Sequence, residues 1–366
     1  NRSRTKLMSR YWSPIVDRLV PYTPGEQPKD KVFAKLNTNE NPYGPSPAAL
    51  AAINKATDDR LRLYPDPESA ELKNAIASTL KLGSDHIFVG NGSDEVLAHG
   101  FNAFFTGKAS ILFADITYSF YKTYCELYGI EHTKVPLTDS FEYDTRDYAV
   151  PCGGVVIANP NAPTGMAMPL SRIEQILEQN PDVVVLVDEA YVDFGADSAV
   201  DLVPHYDNLL VVQTFSKSRS LAGLRVGFAI AQPHLIEGLR RVKDSFNSYP
   251  IGRLSLEGAL AAWTDRDWFD ATRKKVIADR EKVATQLGAQ GFNILPSAAN
   301  FVFATHKTVP AKTLLAELRA RGILVRHFNQ ARIDNWLRIS IGTSEECDKL
   351  LEATADILSN FGEAKP

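Results

Sequence analysis

The chain has 366 residues, of which 44% are hydrophobic and 23% are charged. This balance is that of an ordinary globular protein, and the length suits one large domain with a smaller one. The net charge of −4 excludes a general attraction to nucleic acid or anionic membranes, while local sites for small anions remain compatible with it.

Cysteine usage and hydropathy predict the compartment. Cys125, Cys152 and Cys347 form no CxxC pair, which is typical of reduced intracellular thiols and not of a disulfide framework or a zinc site. Residues 1–22 lack the apolar core of a signal peptide, and no apolar run approaches the ~20 residues of a membrane span. We therefore expect a cytosolic protein that is not attached to a membrane.

The order of the elements predicts an α/β fold. Residues 1–45 are rich in Pro and Asn and predict an extended arm. Short apolar runs then alternate with amphipathic stretches, which indicates strands buried on both faces and a mostly parallel sheet flanked by helices. The predicted strands are 87–89, 110–113, 154–158, 183–187, 209–213 and 226–230. The predicted helices are about 67–82, 93–105, 119–128, 170–179 and 233–243.

The pattern changes after Pro250. A long helical stretch, strands and further helices predict a smaller α+β unit. We predict an arm at 1–45, a large domain at 46–250 and a small C-terminal domain at 251–366. In the small domain the predicted helices are about 253–287, 310–321 and 344–360, and the predicted strands are 300–304, 322–327 and 335–341.

Ligands of open α/β sheets bind at the carboxyl ends of the strands, so residues that follow apolar runs carry most information. Asp188 ends such a run, where a charge needs a cationic partner. A protonated pyridine nitrogen would be one, since a carboxylate keeps such a ring electron-withdrawing. Tyr191 is near enough to reach the same site. A strand-end acid that caps a helix is the alternative.

The segment TFSKSRSLAGLR at 214–225 follows another apolar run. Lys217 in this loop could condense with an aldehyde if its neighbours lower its pKa. Ser216 and Arg225 supply donors suited to a phosphate group. The alternative is a solvated lysine in a polar loop.

The segment GNGSDE at 90–95 predicts a strand, a tight turn and a helix that begins at Ser93 or Asp94. A helix start presents free N–H groups and a positive dipole end to a phosphate. A dinucleotide fingerprint is not favoured because Glu95 replaces its third glycine. An ordinary helix cap also explains the pattern.

Two further residues, Asn161 and Tyr118, are candidates for contacts with an aromatic ring. Asn161 lies in the turn NPNAPTG, where its amide could bond a ring hydroxyl, although a simple turn also explains it. Tyr118 follows a strand and could stack on an aromatic ring, although half-buried packing is the alternative. Together these groups match the needs of a phosphorylated pyridine aldehyde.

Longer motifs carry a family resemblance that covers nearly the whole chain. The motifs are LNTNENPYGPSP (36–47), RLYPDP (62–67), GNGSDE (90–95), NPNAPTG (159–165), VDEAYVDF (187–194), TFSKSRSLAGLRVGF (214–228) and WLRISIG (336–342). With them the chain resembles the fold-type I aminotransferases that depend on pyridoxal phosphate (PLP), and within them the histidinol-phosphate aminotransferases. The resemblance implies a PLP cofactor, and a homodimer whose sites are shared across the interface.

The resemblance also assigns roles to individual residues. Lys217 would hold the cofactor as a Schiff base and shuttle a proton. The other residues assigned to the cofactor are Asp188 at the ring nitrogen, Tyr191 at the ring oxygen, Tyr118 stacked on the ring, Ser93, Asp94, Ser216 and Arg225 at the phosphate, and Tyr64 at the phosphate of the neighbouring subunit.

For the substrate, Arg338 resembles the arginine that grips its anionic end, and Arg326 and Tyr22 are further phosphate contacts of this branch. One position departs from the family pattern. Ala162 stands where an asparagine is usual, and Asn161 is the nearest amide that could serve the ring oxygen.

We therefore predict a histidinol-phosphate:2-oxoglutarate aminotransferase, which acts on a small-molecule amino donor and a 2-oxo acid. The alternatives are an aromatic amino acid aminotransferase, a PLP-dependent threonine-phosphate decarboxylase, and a regulatory PLP binder, which the lack of a basic patch disfavours. We predict no metal site, because Glu189 and Asp188 should point apart and no histidine has ligand spacing.

Overall fold

A computed structural model describes residues 9–20, 26 and 34–363. Its helices are α1 Pro14–Arg18, α2 Pro47–Ala56, α3 Ala70–Leu80, α4 Ser93–Phe105, α5 Phe120–Tyr128, α6 Leu170–Gln179, α7 Pro233–Phe246, α8 Arg253–Thr264, α9 Arg266–Ala289, α10 Ala311–Ala320 and α11 Ser344–Glu363. Its strands are β1 Ala34–Lys35, β2 Ile87–Gly90, β3 Ile111–Ala114, β4 His132–Val135, β5 Gly154–Ala158, β6 Val185–Asp188, β7 Leu209–Thr214, β8 Gly227–Ala231, β9 Phe292–Ile294, β10 Phe301–His306, β11 Ile323–Leu324, β12 Arg326–His327 and β13 Leu337–Ser340.

The large sheet has the strand order β2-β8-β7-β6-β5-β3-β4. Its strands are parallel except β8, which runs antiparallel to both of its neighbours. Side chains alternate between two apolar cores, as on β5, where Val155 and Ile157 face one core and Val156 faces the other. The predicted mostly parallel sheet, buried on both faces, is confirmed.

Five elements were not predicted. Helix α1 and strand β1 lie in the arm, for which only an extended chain was expected. The edge strand β4 has the sequence HTKV, whose polar and partly exposed residues suit a sheet edge but hide the strand in the sequence. Helix α2 begins at Pro47 and is capped by Ser46, whose side chain accepts a hydrogen bond from the Ala49 N–H at 3.0 Å. The short strand β9 is the fifth.

The helical stretch predicted at 253–287 is two helices. The chain breaks at Asp265, whose carboxylate caps α9 by accepting a hydrogen bond from the Trp268 N–H at 3.2 Å. Helix α8 packs against α2 and α3, and Trp263 lies in the core of the large sheet. The domain boundary near residue 250 stays a prediction.

The smaller unit has an antiparallel sheet of order β12-β13-β10-β9, packed against α9, α10 and α11. The expected large and small units of the α/β fold are therefore present. Strand β1 of the arm pairs in parallel with β11, so the arm is fixed to this unit. No helix within the described ranges is long and apolar enough to cross a membrane.

The buried His99 on α4 gives the fold a predictable response to acid. Burial, followed by the charge of Lys243, lowers the pKa of His99 to about 4. His99 is thus neutral in the folded protein, whereas in the unfolded chain it takes up a proton below about pH 6.5. The contribution of His99 to the free energy of unfolding therefore falls as the pH drops from about 6.5 to 4.

Denaturant unfolding at several pH values tests this expectation. The His99→Gln variant should lose less stability than the wild type between about pH 6.5 and 4. His234→Gln, at an exposed position of α7, is the control and should follow the wild type. Identical pH profiles for His99→Gln and the wild type would contradict the assignment.

Candidate active site

A cavity of about 310 Å³ lies at the carboxyl ends of β5, β6 and β7, where it is closed by the arm and by β12 and β13. This volume lies in the range of small-ligand sites. Most of the predicted site residues line the cavity: Ser93, Asp94, Tyr118, Asp188, Tyr191, Ser216, Lys217, Arg225, Arg326 and Arg338. The structure thus brings these predicted side chains together around one cavity.

The carboxylate of Asp188 is the most deeply buried charged group of the cavity, with 6% of the residue exposed. The hydroxyl of Tyr121 donates a hydrogen bond to its Oδ2 at 2.7 Å, and the Ala190 N–H donates to its Oδ1 at 3.2 Å. Burial raises the pKa of Asp188 to about 6, while these donors and the charge of Lys217 act in the opposite direction. A cation beside Asp188 would therefore be strongly held.

Lys217 lies in the loop after β7, and its Nζ is 5.7 Å from the centre of the Tyr191 ring. The arm holds both residues. The Asn41 amide donates to the Lys217 carbonyl at 3.0 Å, and the Asn39 amide donates to the Tyr191 hydroxyl at 3.0 Å. The ring of Tyr191 also contacts the edge of Phe301, with centroids 5.1 Å apart. Lys217 and Tyr191 thus share one corner of the cavity.

The start of α4 forms a cradle for an anion. Gly92 has a φ of +83°, and a Cβ there would lie 2.5 Å from Nη2 of Arg225. A Cβ on Gly227 would lie 2.3 Å from the backbone nitrogen of Ser93. The two glycines therefore let the arginine and strand β8 approach the free N–H groups of the helix.

Side chains around this cradle are held by one another. Arg225 forms an ion pair with Asp94 at 3.2 Å, and its Nη1 donates to the Ser216 hydroxyl at 3.4 Å. The Tyr118 hydroxyl donates to the other oxygen of Asp94 at 3.0 Å, and burial raises the pKa of Tyr118 above its usual range. The neutral Tyr118 ring is thus held beside the cradle.

Two arginines face the cavity from the smaller unit. Arg326 on β12 and Arg338 on β13 are directly opposite each other in an antiparallel pair. Like charges directly opposite each other destabilise a sheet, and an anion bound beside them would offset this repulsion. Nη2 of Arg338 donates to the Asn37 carbonyl at 2.9 Å, and its guanidinium lies 5.5 Å from the centre of the Phe301 ring. The arginine pair is therefore a candidate anion site, formed by other residues than the cradle.

Two of the predicted residues that the structure describes, Asn161 and Tyr64, do not line the cavity. The amide nitrogen of Asn161 donates to the Ile116 carbonyl at 2.9 Å and its oxygen accepts from Thr117 at 2.8 Å, while Ala162 lines the wall. Tyr64 is 79% exposed and stacks on Tyr249, with ring centroids 4.6 Å apart. Tyr22 lies outside the described residues. Their roles stay predictions.

Glu189 points away from Asp188. Its carboxylate accepts hydrogen bonds from the Ser198 hydroxyl and the Ala199 N–H, both at 2.6 Å, and from the Gln213 amide at 2.8 Å. Burial raises the pKa of Glu189 to about 7. No group of three metal-binding side chains occurs among residues 9–20, 26 and 34–363.

Sequence reasoning missed several residues of the site. Tyr121 was not predicted, although its spacing of three from Tyr118 places both near the start of α5. Asn39 and Asn41 lie in the quoted arm motif, but only the folded chain shows which groups they bond. Gly227 follows the lysine loop, and its close approach to α4 has no signal in a single sequence.

The hydrogen bond from Tyr121 should stabilise the ionised form of Asp188. In protein freed of bound small molecules, Tyr121→Phe should lower the free energy of unfolding at pH 8 by about 1.5–3 kcal/mol, the range for hydrogen bonds to charged groups. The loss should shrink below about pH 6, because Asp188 then binds a proton. Urea unfolding at both pH values measures it.

Tyr148→Phe is the matched control for this variant. Tyr148 is also fully buried, and its hydroxyl has no hydrogen-bond partner in the part of the chain that the structure describes. Its replacement should cost little at either pH. Equal losses in the two variants would mean that the Tyr121 hydroxyl does not stabilise the carboxylate.

Comparison with known proteins gives consistent matches. The model of the family "Aminotransferase class I and II" matches residues 31–353. A histidinol-phosphate aminotransferase from Acetobacter pasteurianus is 57% identical over 96% of this chain and 99% of that protein. Histidinol-phosphate aminotransferase 1 from Bordetella parapertussis is 58% identical over 96% of this chain and all of that protein.

Among solved structures, histidinol-phosphate aminotransferase from Sinorhizobium meliloti, in complex with pyridoxal-5'-phosphate, superimposes with a TM-score of 0.86. It is 25% identical in sequence, and the match covers 97% of this chain and 99% of that one. The similarity thus extends over both the large and the small units.

Proposed function

Since the chain belongs to the class I and II aminotransferases, we propose that it is a histidinol-phosphate aminotransferase, with PLP as cofactor and 2-oxoglutarate as amino acceptor. Relatives of that name match it at 57–58% identity over nearly its whole length. The observation that supports the substrate class is the register of Arg326 against Arg338, which brings two cations together on the wall of the cavity.

The cavity fits the cofactor. The helix start at Ser93 and Asp94, with Ser216 and Arg225, suits the phosphate, because Gly92 and Gly227 let Arg225 and strand β8 lie close to the free N–H groups of the helix. The buried Asp188 suits a protonated ring nitrogen. When bound, PLP supplies an aldehyde that condenses with amines and a ring that withdraws electrons from the substrate.

The residues around Lys217 have separable tasks. Its amine would hold the cofactor covalently and, once released from it, would take the proton from the α-carbon of the substrate. Asp188 keeps the ring nitrogen protonated, and Tyr121 keeps Asp188 ionised. Tyr191, oriented by Asn39, donates toward the ring oxygen, and Tyr118 covers one face of the ring.

The second anion site explains how one cavity serves two substrates. The donor presents a phosphate and the acceptor presents a carboxylate, and both groups offer paired oxygens to a guanidinium fork. Arg338 with Arg326 can bind either in turn. The carboxylate of an aromatic amino acid would also suit Arg338, and it is the identity with relatives named histidinol-phosphate aminotransferase that favours the phosphate donor.

A single-turnover assay tests the function. Holoenzyme is mixed in turn with histidinol phosphate, phenylalanine and threonine phosphate without any 2-oxo acid, and the absorbance of the cofactor is followed. Rapid loss of absorbance with histidinol phosphate alone is expected. Faster loss of absorbance with phenylalanine would indicate an aromatic amino acid as the donor. Release of carbon dioxide from threonine phosphate would show a decarboxylase and not an aminotransferase. Purified protein without colour would contradict the assignment of PLP as cofactor.

Lys217→Ala is the control for the covalent step. Borohydride reduction followed by mass spectrometry should find the cofactor mass on the peptide with Lys217 in the wild type and nowhere in the variant. A reducible adduct that survives in Lys217→Ala would contradict the role of this lysine.

We also infer a homodimer with shared sites. Large apolar side chains lie exposed near Tyr64, whose assigned partner is the phosphate of the neighbouring subunit. The exposed residues of this surface are Leu61, Leu63, Tyr64, Phe246 and Tyr249. Contiguous apolar surface of this kind is typical of an interface.

Mixing inactive variants tests the shared site. If Tyr64 serves the partner's cavity, a heterodimer of Lys217→Ala and Tyr64→Ala has one intact site. Random reassociation should then recover about a quarter of wild-type activity, since half of the dimers are mixed and half of their sites are intact. Lys217→Ala mixed with Asp188→Asn should recover none. No recovery in the first mixture would contradict the proposal.

We further propose that the protein acts in the cytosol. Cys125, Cys152 and Cys347 are all free thiols, and two of them are buried. Thiols in this state fit a reducing compartment.

A further inference from the structure

The loop between β12 and β13, residues 328–336, is the docking loop of the smaller unit. It leaves β12 immediately after His327 and enters β13 at Leu337. The two arginines of the anion site therefore flank it: Arg326 precedes the docking loop by two residues and Arg338 follows it by two. Any shift of this loop moves both arginines.

Hydrogen bonds attach the docking loop to the large sheet. Nη1 of Arg332 pairs with the Asp115 carboxylate at 2.9 Å, and its Nη2 donates to the carbonyls of Leu137 at 2.9 Å and Thr138 at 2.7 Å. Gln330 donates to the Asp115 carbonyl at 3.1 Å. One guanidinium thus joins three groups of the large sheet's edge to the loop.

Asp115 is itself fixed, and it lies in the segment that leads to Tyr118 on the wall of the cavity. Its Oδ1 accepts from the Leu137 N–H at 2.9 Å, which leaves Oδ2 for Arg332. Asp115 follows β3 directly and precedes Tyr118 by three residues. The same contact therefore connects the segment of the predicted ring-stacking residue to the segment of the arginine pair.

Apolar packing fixes the loop as well. Ile333 is 1% exposed and lies in the core of the large sheet. Trp336 stacks on Phe303 with ring centroids 5.0 Å apart and meets the edge of Phe141 at 5.4 Å. Arg332 has a φ of +70°, which is unfavourable for a residue with a side chain and persists where surrounding contacts determine it.

We propose that Arg332 is a positioning residue for the anionic end of the substrate. It docks the loop on Asp115 and on the carbonyls beside it, and so holds the arginine pair at a fixed distance from the cofactor. Arg332 touches neither substrate nor cofactor. The identity of the two anions rests on the proposed function, whereas the coupling of Arg332 to the anion site does not.

Steady-state kinetics of holoenzyme with Arg332→Ala test the proposal. The KM for histidinol phosphate and for 2-oxoglutarate should rise on the order of tenfold, since small displacements of binding groups have large effects. The kcat/KM for histidinol, which has no phosphate for the arginine pair, should stay unchanged. Arg332→Lys keeps the charge and should recover part of the loss.

Arg321→Ala is the matched control. Arg321 also forms charged contacts, with Glu317 and Asp356, but these lie within the smaller unit and away from the cavity. Its KM values should equal those of the wild type. Unchanged KM values in Arg332→Ala, or an equal loss with histidinol, would overturn the positioning role.

A second measurement separates this inference from the proposed function. In holoenzyme the cradle is filled by the cofactor phosphate, so binding of inorganic phosphate in calorimetry reports on the arginine pair. Arg332→Ala should weaken this binding on the order of tenfold and speed hydrogen exchange in residues 328–336. If the wild type does not use histidinol phosphate, the function fails, while these two results still decide the role of Arg332.

Discussion

The carboxylate of Asp188 is buried, and the cavity around it must supply the hydrogen bonds and positive charge that a buried carboxylate needs. A charge at the end of a fully buried strand is unfavourable unless hydrogen-bond donors and a cation face it. Tyr121 supplies the donor from α5, which fixes where that helix begins against the sheet. The remaining side of Asp188 opens into the cavity, where the proposed ring nitrogen is its cation. The polar groups around Asp188 thus share one role, which is to stabilise its negative charge.

The smaller unit, by contrast, contributes positive charge to the cavity. Arg326 and Arg338 are directly opposite each other on two paired strands, and an anion beside them would offset the repulsion of their like charges. The cavity therefore has a carboxylate at its base and guanidinium groups at its rim, with Lys217 on the wall. A ligand with a cationic ring-bound end and an anionic tail satisfies both, which is the charge distribution of a substrate joined to the cofactor.

Much of this arrangement could be predicted from the sequence because strand ends of a parallel sheet meet at one edge. Asp188, Lys217 and Arg225 follow apolar runs that are unambiguous. Tyr121 and Asn39 could not be predicted, because their partners lie 67 and 152 residues away. Asn161 was predicted as a site residue because it lies in a turn. Its amide instead donates hydrogen bonds to the Ile116 carbonyl and to the Thr164 hydroxyl of the same turn. Polar edge strands such as β4 escape prediction for lack of a buried pattern.

The pairing of the arm with the smaller unit bears on when the site can form during synthesis. Asn37 bonds Arg338 and Asn39 bonds Ser340, each across 301 residues of sequence. The large sheet can be assembled as soon as β8 has left the ribosome, but the arm then has no strand to join. The arm, which is synthesised before the large sheet, waits for a strand that is synthesised after it. A nascent chain would therefore hold a folded large sheet and an incomplete site until β13 emerges, a long-range closure of the kind that slows folding.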